Sequence, residues 1–208
     1  MKKSDLKLYL VTNRYEFSDK TFLTIVEEAC KAGITLLQLR EKNISTLRYY
    51  KLAKAVKAIT DHYRIPLIID DRLDICLAVE ADGLHIGDDD LPVAKARKLL
   101  GKDKILGVSA KTVERSLEAE SQGADYLGCG AIFPTQTKNS PHTKLQTLKE
   151  IAETVHIPVV AIGGITPKNI NQLHNIPIAG AAVVSAIMLA NDVQKEVKQF
   201  QKALEFIE

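Results

Sequence analysis

Short apolar runs recur along this chain, and each is followed by a longer stretch whose apolar positions return every three to four residues. The runs occupy residues 8–11, 36–39, 66–69, 83–86, 105–108, 126–129, 158–162 and 181–184, and their length predicts eight strands. They are apolar nearly throughout rather than alternating, so both faces of each strand are expected to be covered, as in parallel sheets with crossover helices. Phe22, Ile25, Val26 and Ala29 carry the 3.6-residue period of the first helix, with Gly33 as its stop. Tyr49, Leu52, Ala53 and Val56 carry that of the second, behind Ser45 as N-cap. Further on, Thr112 precedes a helical run containing Leu117, Thr166-Pro167 reads as an N-cap followed by proline at the first helical position, and Val193, Val197, Phe200 and Leu204 stripe the last helix. Eight strand–helix units in 208 residues match an α/β (β/α)8 TIM barrel, with residues 1–208 as a single domain. A doubly wound open sheet is the alternative. The repeat count and the absence of a G-x-G-x-x-G turn after the first strand favour the barrel.

Composition narrows the functional classes. A hydrophobic content of 46% is enough to bury one continuous core. Lys and Arg number 28 against 26 Asp and Glu, and a net charge of +2 leaves no electrostatic footprint for nucleic acid or an anionic membrane surface. No stretch approaches the roughly 20 apolar residues of a membrane span, and the first apolar run is too short for a signal peptide, so a cytoplasmic location is expected. Cys30, Cys76 and Cys129 are odd in number, far apart and set in apolar stretches, which predicts buried free thiols rather than disulfides or a zinc site.

The polar residues that follow the strands are the informative ones, because in a barrel of this kind those positions share one rim. After the second strand, alternation sends Gln38, Arg40 and Lys42 to the same side, and two cations with an amide make an anion grip. A solvated strand end is the plain alternative. The third strand runs into Asp70-Asp71 and the fourth into Asp88-Asp89-Asp90. Carboxylates on neighbouring strand ends repel one another unless a cation lies between them, and oxygen ligands beside phosphate suit Mg²⁺. Equally, residues 88–90 read as an acidic cap on the next helix. Ser109 closes the fifth strand, residues 130–138 lead from the sixth into a long polar loop, and Gly163-Gly164 and Val184-Ser185 end the seventh and eighth. Loops after the last two strands commonly hold a phosphate on backbone N–H groups, although the glycines would also serve close packing. His85 lies inside a strand, His142 in the long loop, and His62, His156 and His174 on helices or their ends, so no Ser-His-Asp, Cys-His or metal-type histidine spacing is present.

Residues 8–12, 38–42, 70–74, 81–87, 107–109, 132–138, 161–166 and 183–187, taken in order, resemble the thiamine phosphate synthase family of barrel enzymes over nearly the whole chain. The resemblance implies joining of hydroxymethylpyrimidine diphosphate to a thiazole phosphate with release of diphosphate. It places Gln38, Arg40, Lys42, Asp70, Ser109 and Lys138 on the pyrimidine diphosphate, with Arg40, Lys42, Ser109 and Lys138 as the catalytic set. Asp71 and Asp90 would ligate Mg²⁺, and Thr135, Thr137, Gly164, Val184 and Ser185 would bind the thiazole phosphate. The family usually has Asn where this chain has Asp70 and Gln where it has Asp88. An ionised Asp accepts but cannot donate hydrogen bonds, so Asp70 either alters pyrimidine recognition or joins the metal site. Two rivals stand beside this reading: a thiazole tautomerase, whose members carry His where this chain has Lys111, and a non-catalytic barrel that binds thiamine precursors. The expected partners are small molecules in each case.

Overall fold

The computed structural model describes residues 2–137 and 141–207. Eight parallel strands close into one barrel in chain order, each paired with its sequence neighbours and the last with the first. They are β1 (Leu8–Val11), β2 (Leu36–Leu39), β3 (Leu67–Asp70), β4 (Gly83–Ile86), β5 (Ile105–Ser109), β6 (Tyr126–Cys129), β7 (Val159–Ile162) and β8 (Gly180–Val183). An open doubly wound sheet is thereby excluded.

Two strands start one residue later than the apolar runs suggest, because Pro66 and Pro158 have no N–H for the ladder. They contribute only carbonyls, accepting from Leu37 N and Leu127 N. At the other end β3 and β5 extend to include Asp70 and Ser109, and this places both side chains on the rim itself.

Around the barrel lie α1 (Asp19–Ala32), α2 (Thr46–Tyr63), α3 (Leu73–Ala78), α4 (Val93–Leu100), α5 (Val113–Ser121), α6 (Leu145–Thr154), α7 (Ser185–Met188) and α8 (Val193–Ala203). The side chains of Ser18, Ser45, Thr112 and Asp192 accept from backbone N–H groups in the first turns of α1, α2, α5 and α8, and Gly33 ends α1 at φ 98°. Leu117 does fall in α5 but is 43% exposed. Ser116 and Ala119, small enough for close approach, face the barrel instead.

The connection after β7 departs from expectation. Thr166-Pro167 caps no α-helix: the chain makes a turn and then a 3₁₀ segment, Ile170–Leu173. Asn169 decides this, its side chain accepting from Thr166 N at 2.8 Å and donating to Gly164 O at 2.9 Å, so the backbone satisfies itself locally.

One apolar cluster fills the layer between strands and helices, and a second, including Tyr9, Val11, Leu36, Ile68, Tyr126, Val160 and Ala182, fills the barrel interior. The three cysteines are buried and unpaired, and burial pushes each thiol up to about 12, which suits packing rather than chemistry. Among the described residues no helix is long and apolar enough to cross a membrane.

At the end of the barrel opposite the rim, Arg97 of α4 donates to Gly123 O, Gly101 O and Lys104 O at 2.8–2.9 Å and to the Asp125 carboxylate at 2.5 Å. Arg97→Met is expected to cost about 2 kcal/mol of stability, since several acceptors lose a charged donor together. Steady-state turnover should stay unchanged. Urea unfolding alongside rate measurements checks both.

Candidate active site

All eight strands are parallel, so their C-terminal ends form one rim, and the loops leaving it carry most of the polar residues singled out above. The densest cluster lies where β2, β3 and the loop after β4 meet. Arg40 is held from below, its backbone N–H donating to Thr12 Oγ1 at 3.0 Å and its Nη1 to Asn13 Oδ1 at 3.2 Å. Its Nε and the Lys42 ammonium each approach Asp70 Oδ2 at 3.6 Å, and Lys42 also pairs directly with Asp71. Asp71 sits at φ 59°, a left-handed conformation that Asp tolerates better than most side chains, with its N–H donating to His85 O at 2.8 Å. Asp90 closes the loop after β4 by accepting from Gly87 N at 2.7 Å.

The electrostatics follow from crowding. Burial first, and then the charge of Asp71, push the Asp70 carboxyl up to about 7 against the pull of Lys42 and Arg40. Burial also raises Asp90, and the Asp71 carboxylate adds to this both through its charge and through direct side-chain contact. Burial alone would lower the Lys42 ammonium, but the bond to Asp71 and the charges of Asp70 and Asp71 outweigh it and leave Lys42 above its ordinary value. Asp71 and Asp90 are therefore carboxylates that repel one another, a hard-oxygen pair that a divalent cation would relieve. Asp70 is ion-paired with Arg40 and Lys42, and among the described residues no three acidic, histidine or cysteine side chains gather as a metal site. Coordination beyond the two carboxylates would have to come from ligand oxygens and water.

The acidic-cap alternative for residues 88–90 does not hold. α4 has Pro92 at its N-cap with no side-chain cap bond, and Asp88 instead meets Arg115 at 3.3 Å.

Below the cluster the barrel interior holds a polar chain that reading along the sequence does not reveal. Gln38 Nε2 donates to Tyr9 OH at 2.6 Å, the Tyr9 and Tyr126 hydroxyls meet at 2.7 Å, Tyr126 OH meets His85 Nδ1 at 3.0 Å, and His85 Nε2 meets Ser109 Oγ at 3.0 Å. Gln38 and Ser109 are both candidate ligand contacts, and they are joined through the floor. Burial, the largest influence, keeps both phenols above their ordinary range, so they act as neutral hydrogen-bonding groups. One clue was present in the sequence: tyrosines inside runs that must be buried on both faces need hydroxyl partners.

On the other side of the rim, the loop after β6 is tied to β7 by Ile132 N donating to Ile162 O and Phe133 N to Gly163 O, both at 3.0 Å. Gly164, at φ 64°, lies so close to this loop that a Cβ would meet Pro134 O at 2.4 Å. Thr135 and Thr137 follow directly, with Thr137 N donating to Thr135 Oγ1 at 3.2 Å. Thr143 N then donates to Ala131 O at 2.8 Å and brings the loop back. Lys138 lies outside the described residues. Val184 and Ser185 form the entry to α7, whose first turn closes with Ile187 N and Met188 N donating to Val184 O at 3.2 and 2.9 Å. The structure thus gathers Arg40, Lys42, Asp70, Asp71 and Asp90 into one cluster, links Gln38 to Ser109, and sets Thr135, Thr137, Gly164, Val184 and Ser185 on the loops after β6, β7 and β8.

Comparison with known proteins agrees with this architecture. The family model described as thiamine monophosphate synthase matches residues 8–187. The chain is 62% identical over 205 residues to thiamine-phosphate synthase 2 of Streptococcus pneumoniae, covering 98% of each chain. It is 61% identical over 203 residues to thiamine-phosphate synthase of Enterococcus faecalis, covering 98% of this chain and 96% of that one. The solved structure of thiamine phosphate pyrophosphorylase from Pyrococcus furiosus superposes with a TM-score of 0.89 at 38% identity, over 99% of this chain and 98% of the other. A matching family model over most of the chain, full-length relatives above 60% identity and one shared barrel place this protein in the thiamine monophosphate synthase family.

Proposed function

We propose that this protein joins hydroxymethylpyrimidine diphosphate to a thiazole phosphate, making thiamine phosphate and releasing diphosphate. The observation that carries the reading is the juxtaposition of two cations, Arg40 and Lys42, with the mutually repelling carboxylates Asp71 and Asp90 on one rim. In the reaction the bond between the pyrimidinylmethyl carbon and the diphosphate oxygen breaks, the electron pair leaves with diphosphate, and the thiazole nitrogen lone pair forms the new C–N bond. No proton has to move, so the chemistry needs no catalytic triad. Arg40 and Lys42 hold the diphosphate and take up charge as it leaves, assisted by Lys138. Ser109, Gln38 and Asp70 orient the pyrimidine, and Thr135, Thr137, Gly164, Val184 and Ser185 hold the thiazole phosphate so that the nitrogen is in line. Asp71 and Asp90 would hold Mg²⁺, which when bound would neutralise charge on the departing diphosphate. Asp70 matters here because it competes with the diphosphate for Arg40 and Lys42.

The test is direct. Purified protein with both substrates is expected to form thiamine phosphate, detected by chromatography, only when Mg²⁺ is present. Thiazole phosphate incubated alone should stay unisomerised, the result that separates this activity from a tautomerase. Absence of product under every condition, with tight ligand binding retained, would leave a binding protein instead.

A further inference from the structure

Five side chains from five strands, Gln38 of β2, Tyr9 of β1, Tyr126 of β6, His85 of β4 and Ser109 of β5, make an unbroken chain of hydrogen bonds under the candidate site. We infer that this chain is a positioning relay with a fixed direction, which sets His85 in the Nε2–H tautomer and makes the Ser109 hydroxyl a donor to an acceptor atom of the bound pyrimidine diphosphate. The inference deepens the proposed function and rests on it for the identity of that ligand.

The direction follows from the one member that has no choice. Gln38 presents Nε2, which can only donate, so Tyr9 oxygen accepts. Tyr9 is 2% exposed, and Tyr126 oxygen is the acceptor its own proton reaches, at 2.7 Å. Tyr126 oxygen is then already accepting, and its proton goes to His85 Nδ1. The remaining ring proton lies on Nε2 and is given to Ser109 Oγ. Ser109 oxygen is occupied as an acceptor from below, so its hydroxyl proton is free to be given to ligand. Turning any one bond around would set two protons against each other or strand a buried phenol proton.

A second, independent observation is the space kept for these rings. A Cβ on Gly107 would lie 2.2 Å from Tyr126 Cζ, and one on Gly128 would lie 3.3 Å from His85 Cε1. Glycine on β5 and β6 leaves room for the Tyr126 and His85 rings inside the barrel.

Because Gln38 and Ser109 are both ends of the relay and both face the pyrimidine subsite, the relay dictates which hydrogen-bond pattern that subsite accepts. A ring nitrogen or a phosphate oxygen opposite Ser109 is welcome. A donor there is refused.

Two experiments test this. The first uses ligand-free protein labelled with ¹⁵N histidine, with the His85 signals assigned by their loss in His85→Gln. Long-range ¹H–¹⁵N spectra are expected to show His85 protonated on Nε2 and bare on Nδ1, and to lose this preference in Tyr126→Phe. A proton on Nδ1 in the unsubstituted protein overturns the direction. The second measures steady-state kinetics with both substrates. Tyr126→Phe and His85→Leu are expected to lower kcat/KM for hydroxymethylpyrimidine diphosphate roughly tenfold, the effect of one lost hydrogen bond, with KM for thiazole phosphate unchanged. His85→Gln, which keeps a donor for Ser109, should recover most of the loss. Wild-type kinetics in Tyr126→Phe and His85→Leu, or equal losses in His85→Gln and His85→Leu, would overturn the relay. If the unsubstituted protein makes no product, the proposed function fails, while the tautomer measurement still decides the direction.

Discussion

Asp71→Asn and Asp90→Asn are each expected to lower kcat by roughly 10²–10³-fold at saturating substrates, because each removes half of the site proposed to hold the charge-neutralising cation. Asn is the discriminating replacement at both places. At position 71 it tolerates the left-handed backbone as well as Asp does, so fold and loop should persist. At position 90 its amide oxygen still accepts from Gly87 N. What disappears is charge. Both variants should require more Mg²⁺ for half-maximal rate, and the double variant should lose little beyond the worse single, since the two carboxylates act on one ion. Rates titrated against Mg²⁺ check this. A variant with unaltered Mg²⁺ dependence would remove that residue from the metal site. The substitution at position 90, which breaks no ion pair, carries a second expectation: relief of its repulsion with Asp71 should leave metal-free Asp90→Asn no less stable than the parent protein.

Phe200→Ala is expected to cost about 3–5 kcal/mol of stability, the largest single-residue loss anticipated outside the site. Phe200 is 0% exposed and belongs to the main core cluster, on the stripe of Val193, Val197 and Leu204 along α8. That helix packs on α1, and Gln201 Nε2 donates to Ala32 O at 3.1 Å and Gly33 O at 2.9 Å, so the last helix is fastened to the first where the ring of helices closes. Removing the ring leaves a void at that seam that well-ordered neighbours cannot fill. For a chain of this size the loss amounts to roughly 10 °C in melting temperature, readable by calorimetry. Below the transition, turnover should match the parent protein, because the rim is built from other elements. A drop of less than about 1 kcal/mol would mean that the α1–α8 seam repacks.

The eight apolar runs, the helical stripes and the caps at Ser45 and Thr112 were legible because each is a local property: periodicity reports burial, and a capping side chain meets a backbone group a few residues away. The same locality explains the failures. Asn169 overrode the helix start suggested by Thr166-Pro167, because that outcome depends on side-chain bonds that the helical pattern does not report. The grouping of Arg40 and Lys42 with Asp70 and Asp71 was readable as strand-end chemistry. That Asp70 is ion-paired with both cations rather than gathered with the other carboxylates was not.

What the sequence determined by itself, then, was the number of strands, their shared burial and the kind of polar residue left at each strand end, because pattern and residue type are written one position at a time. Tertiary structure alone decided that β8 returns to β1, that Asp90 lies in the field of Asp71, and that Gln38 reaches Ser109 through Tyr9, Tyr126 and His85. Along the polar chain those contacts join residues 24 to 117 positions apart, and only closure of the barrel brings them within hydrogen-bonding distance.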